Sequence, residues 1–176
     1  MFKKLVGSLR YSCNTRPDIC YAVGMVSMFM SKLKWSHYQA AFRIPRYVKR
    51  TLKYGVLFPS DAETDAELLS YSDSDGCGDR VDRRNTSGYL FKFLGSHVSW
   101  CSKKQPVVAL STYEVEYIVG VVTTCQVVWL MNLLQDLNIK VNKSLKSMID
   151  NKSAINLAKN PVLHERSSIL RLSITF

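Results

Sequence analysis

Apolar and polar positions follow two different periods along the chain, and the change falls near residue 60. Over residues 1–58 the apolar positions recur at helical spacing, as in Ile19, Val23, Val26 and Met30, so this third is predicted to be helical. Thr15-Arg16-Pro17-Asp18 has the form of a helix start, with a cap residue, an early proline and an acid at the positive end. Ser36-His37-Tyr38-Gln39 has the S-x-x-Q form of a capping box, predicting a further helical segment from Ala40 to Tyr54. Pro45 falls inside that segment, where a missing N–H and a ring clash should kink or break it at a cost of about 3 kcal/mol.

After residue 67 the period shortens to that of strands. Leu68–Asp73 reads as a buried strand that ends in acid. Ser87–Leu94 is a second, aromatic-rich strand, Gly95-Ser96 a hairpin turn, and His97–Ser102 a third strand. Ser111-Thr112-Tyr113-Glu114 is an S-x-x-E capping box opening a long helix to about Leu137. Leu145–Ile149 is a fourth strand reaching Asp150, and Asn151 caps a last helix through Ala158. The order β-β-β-α-β-α predicts an α/β fold: an antiparallel meander joined by a helical crossover to one more strand.

Charge sharpens the division. The chain of 176 residues carries a net +10, and residues 1–60 hold eleven Lys/Arg against Asp18 alone, so the basicity belongs to the helical third. Its surface cations Arg43, Arg46, Lys49, Arg50 and Lys53 point to a polyanionic partner, nucleic acid before others, or else to a solvated helix face. The acidic, turn-rich stretch 59–67 is the expected linker. Five dispersed cysteines without a C-x-x-C pair argue against a disulfide framework and a zinc site, and for a reducing, intracellular compartment. No run is expected to reach the roughly 18 apolar residues of a membrane span, and the N-terminus lacks the features of a secretion signal.

The candidate chemistry lies in three separated carboxylates. Asp73 ends the first strand, Asp150 ends its presumed neighbour, and Glu116 is expected in the first turn of the long helix. Ligands from strand ends and a helix start converge in an open α/β sheet. Such carboxylates suit two hard cations roughly 4 Å apart, the arrangement that hydrolyses phosphodiesters. Glu114, two residues from Glu116, points elsewhere and is taken up by the capping box. Each acid taken singly has an ordinary alternative as a turn or helix-start residue.

Tyr71-Ser72-Asp73-Ser74-Asp75, Thr86-Ser87-Gly88-Tyr89, the segment Ser99–Pro106, Ala109–Tyr117 and Asp150–Ile155 together resemble the ribonuclease H domain of copia-type LTR retrotransposon Pol polyproteins. Leu5–Leu9, Thr15–Ile19 and Arg46–Lys49 resemble the end of the reverse transcriptase upstream of it. The resemblance implies a reverse-transcriptase remnant over 1–58, a linker over 59–67 and a ribonuclease H-like mixed sheet over 68–166. It also implies Mg²⁺ (or Mn²⁺) held by Asp73, Glu116 and Asp150, and cleavage of RNA in RNA–DNA hybrids recognised by shape and 2′-OH contacts. Lys103 and Lys104 join the basic residues expected to meet nucleic acid.

The chain also departs from the family, which usually has Trp at the place of Gly76, an apolar residue at Pro45 and a small one at Val115. Beyond Ser167 the family continues Lys-His-Ile-Asp/Glu, whereas here Ser168-Ile169-Leu170-Arg171-Leu172 follows. A one-base shift of a suitable codon series converts these residues to the family's continuation. Residues 167–176 are therefore expected to be a frameshifted tail, with a fourth acid and a final helix missing, a point that genomic DNA decides. Two alternatives follow: an inactive fragment that only binds nucleic acid, and a pseudogene product.

Overall fold

Helical periodicity in the first third produces three helices that close on one core. The structure, a computed structural model, describes residues 1–59, 67–75, 83–141 and 146–148. Helix α1 (Phe2–Ser12) buries Phe2, Val6 and Leu9. A 3₁₀ turn at Pro17–Ile19 leads into α2 (Cys20–Ser27), and Ile19, Val23 and Val26 are buried there. Helix α3 (Trp35–Arg50) adds Ala41 and Ile44. These side chains form a single cluster, in which each large aliphatic contributes about 1.5–3 kcal/mol by leaving water. Arg16 ties the turn to the end of α3: its guanidinium grips the Asp18 carboxylate at 2.9 and 2.7 Å and donates to Thr51 Oγ1 at 2.7 Å.

The expected cap of α3 is corrected. Its cap is Lys34, in extended conformation, and the Nδ1 of His37 accepts the Lys34 N–H at 3.2 Å. Ser36 is already inside the helix, so its hydroxyl cannot serve as a cap acceptor; the histidine ring three residues beyond Lys34 does so instead. Of the two outcomes expected at Pro45, a kink or a break, the break does not occur: α3 is continuous through it. One lost hydrogen bond is outweighed because Ala41 and Ile44 are held in the core.

The strand-period region forms a four-stranded sheet in the order β3-β2-β1-β4. Strands β1 (Leu68–Ser74), β2 (Thr86–Phe93) and β3 (Ser96–Lys104) are antiparallel neighbours, and β4 (Lys146–Met148) runs parallel to β1. Helix α4 (Thr112–Asp136) lies between β3 and β4 in the chain, so the fold is mixed α/β. The hairpin turn sits one residue earlier than expected, at Leu94 and Gly95, with φ of 49° and 77°. Phe93 and Ser96 already pair across it, and a two-residue loop matched to strand twist needs positive φ at both positions.

The two faces of the sheet have different cover. Leu68 and Phe91 pack beneath Val127 and Leu130 of α4. The helical third docks at β3: the Trp100 indole N–H donates to Cys13 O at 2.8 Å, and Ser96 Oγ donates to Leu57 O at 2.8 Å. Helix α4 has no unbroken run of membrane-span length, yet its mean hydropathy is high. Glu114–Asp136 is long and apolar enough to cross a membrane by length and composition alone, a test that the core helix of a soluble protein also passes. Thr123, Thr124 and Gln126 interrupt its apolar run without lowering the mean hydropathy enough to matter. Here one side of it is packed on the sheet. The last predicted helix, from Asn151, lies outside the described residues.

Candidate active site

Strand alternation decides what surrounds the carboxylates. Ser70 and Ser72 are buried on the α4 side of β1, whereas Asp73 is exposed at the end of the strand. Ser74 follows the α4-facing set, and its hydroxyl donates to Glu116 Oε1 at 2.5 Å. Its backbone N–H donates to Asp73 Oδ1 at 2.8 Å. One serine therefore holds two of the expected acids, one through its side chain and one through its main chain.

Glu116 is buried and is the fifth residue of α4, just past the first turn rather than within it. Ser111 caps the helix by accepting the Glu114 N–H at 3.4 Å, and Glu114 Oε2 accepts the Leu110 N–H at 2.6 Å. The neighbouring glutamate is thus engaged at the cap, and Glu116 reaches β1. Gln105 reinforces the same helix start. Buried just after β3, it donates from Nε2 to Ser87 Oγ at 2.9 Å and to Val115 O at 3.1 Å, next to Glu116.

Asp150 lies outside the described residues. Strand β4 runs in step with β1, with Leu69 opposite Lys146 and Tyr71 opposite Met148. Asp73 and Asp150 each follow two positions after that last pair in sequence. Among the described residues no three His, Cys, Asp or Glu side chains gather into a metal-binding group. Asp75 is engaged in the sheet itself, where its carboxylate accepts the Thr86 N–H and continues the β1–β2 pairing.

An open groove of about 560 Å³ runs beside Asp73, between the Pro17–Tyr21 turn and the ends of β1–β3. Asp18, Tyr21, Asp75, Tyr89 and Trp100 contribute to its walls. The Arg16 guanidinium holds the Asp18 carboxyl below its ordinary value. Burial pushes the Cys20 thiol up to about 12, so it offers no thiolate nucleophile at neutral pH. Burial, with Lys92 nearby, lowers the pKa of His97.

The expected basic residues divide by environment. Arg43, Arg46, Lys49, Arg50 and Lys53 are exposed on or just after α3, and Lys103 is exposed on β3. Lys104 is half-buried, with its Nζ 3.3 Å from Met28 Sδ at the junction with the helical third. Sequence reasoning misses Ser74 and Gln105. Ser74 sits between two acids in a period-two strand, and that alternation is the one signal that could have found it.

No protein-family model and no solved structure matches the chain. It is 40% identical over 168 residues, 94% of its length, to the retrovirus-related Pol polyprotein from transposon TNT 1-94 of Nicotiana tabacum. It is 39% identical over 99% of its length to the corresponding polyprotein from transposon RE1 of Arabidopsis thaliana. The chain spans 12% of the length of each of these polyproteins. It is also 48% identical over 126 residues, 71% of its length, to secreted RxLR effector protein 161 of Plasmopara viticola, covering 87% of that protein. This chain belongs to the copia-type retrovirus-related Pol polyproteins of transposons.

Proposed function

We propose that the mixed sheet with α4 is a ribonuclease H-like unit that cuts the RNA strand of RNA–DNA hybrids. The observation that supports this most is Ser74, whose N–H and hydroxyl hold the carboxylates of Asp73 and Glu116 at the end of β1. Carboxylate oxygens are the donors that Mg²⁺ or Mn²⁺ takes, so the two described acids fit such ions, with Asp150 as the third ligand. A pair of such ions would supply an activated water and stabilise the leaving oxygen. The chain's own residues do the positioning. Ser74 fixes the Glu116 side chain, Gln105 anchors the start of α4, and the groove beside Asp73 gives a strand access to the carboxylate.

The exposed cations of α3 favour a second reading, a fragment that binds nucleic acid without cutting it. Incubating the chain with a labelled RNA–DNA hybrid separates the two. Nicking that requires Mg²⁺, stops with EDTA and falls by orders of magnitude in Asp73→Asn, with the melting temperature retained, supports the first. Salt-sensitive binding with no nicking overturns it in favour of the second.

A further inference from the structure

Helix α3 presents a ridge that the carboxylate site does not use. Its buried side is Ala41 and Ile44, with Val48 packed against the same core. At 100° per residue, Trp35, Gln39, Arg43, Arg46 and Arg50 fall together on the opposite side, and all are exposed. The helix contains no acidic residue that would neutralise them. Arg43 to Arg50 covers about 11 Å of helix axis, so the three guanidinium groups form a short linear track.

The ridge ends in an aromatic surface. Trp35 is 71% exposed, yet its ring is stacked on Tyr38, with centroids 5.5 Å apart and planes at 20°. Tyr38 leans in turn on Phe42, at 4.7 Å. One indole face is thus braced from within while much of the ring remains open to solvent. A braced aromatic at the end of a cationic track fits a strand whose phosphates lie along the arginines and whose unpaired base stacks on the ring. Duplex bases are already stacked on one another and offer no such face.

We infer that the exposed ridge of α3 binds single-stranded nucleic acid, its phosphates on Arg43, Arg46 and Arg50 and a base on Trp35. This rests on the nucleic-acid reading above but not on the hydrolytic one. The test is fluorescence anisotropy of the full chain with a labelled single-stranded oligonucleotide in EDTA, where a failure of catalysis has no bearing. Trp35→Ala should weaken binding about tenfold, with Trp35→Phe restoring most of it. Arg46→Ala should weaken binding and flatten log K against log [salt] by roughly 0.7. Single strand should bind more tightly than duplex or a sulfated polysaccharide of matched charge, which has no bases. Equal binding of the polysaccharide, or an unchanged affinity in Trp35→Ala, overturns the stacking site. An unchanged salt slope in Arg46→Ala overturns the track. Circular dichroism on each variant confirms the fold, since the substituted side chains are exposed.

Discussion

The two halves of the molecule fill their interiors differently. Among the described residues, the helical third buries eight hydrophobic side chains in one cluster, with Ser27 its one buried polar residue. The sheet and α4 also bury eight hydrophobic side chains, four of them (Leu68, Phe91, Val127 and Leu130) in one cluster, but bury Ser70, Ser72, Asn85, Ser96, Gln105, Glu114, Glu116 and Thr123 beside them. Ser70 Oγ and Ser72 Oγ have no hydrogen-bond partner among the described residues, and a buried hydroxyl left so costs about 1–3 kcal/mol. The helical half is built for cohesion. The sheet half accepts buried polarity where β1 meets the start of α4, which is where Asp73 and Glu116 meet Ser74. Sites that depart from apolar packing are where function is expected.

The contrast can be broken most severely at Phe91. Phe91→Ala removes the largest fully buried side chain of the sheet and should cost about 3–5 kcal/mol in denaturant unfolding. Ile19→Val in the helical core should cost only about 0.5–1.5 kcal/mol. Equal losses would mean that the sheet does not depend on its small apolar cluster. Gln105→Leu probes the polar interior directly. Losing the bonds to Ser87 and to Val115 O should destabilise by about 1–3 kcal/mol. Hydrogen exchange should then speed at the first turns of α4 and not in α1.

Coupling between the halves is tested more gently by Trp100→Phe, which deletes the indole bond to Cys13 O. A loss of about 0.5–1.5 kcal/mol should come with faster exchange at the end of α1; exchange confined to β3 would show that the halves stand independently. The smallest effect is expected at Asp18→Asn, where the partly exposed Arg16 pair should contribute about 0–1 kcal/mol. Its sign is determined: the Asp18 carboxyl sits below its ordinary value when folded, so the unfolded chain binds the proton more readily. That stability is present above the ordinary aspartate value and is lost as pH falls through the depressed one. Melting curves at neutral and strongly acidic pH should converge for wild type and variant at the acid end.

Much of this is legible in residue order. The change of period near residue 60, the Ser111 cap, the β-β-β-α-β succession and the engagement of Glu114 at the helix start all rest on local patterns of a few residues, which local backbone geometry obeys. The cap of α3 escapes such patterns because a serine motif and a histidine three residues past Lys34 offer competing helix starts, and only the backbone conformation at Lys34 decides between them. The hairpin turn shifts by one residue because the register is set by pairing along the whole of β2 and β3. Composition and order alone therefore determined that this chain has a basic helical third, a mixed α/β remainder and Asp73 near the end of its first strand. Tertiary structure alone brought Ser74 to Glu116 across 42 positions and Trp100 to Cys13 across 87. Such contacts depend on how strands register and helices cross, which no short window of sequence encodes.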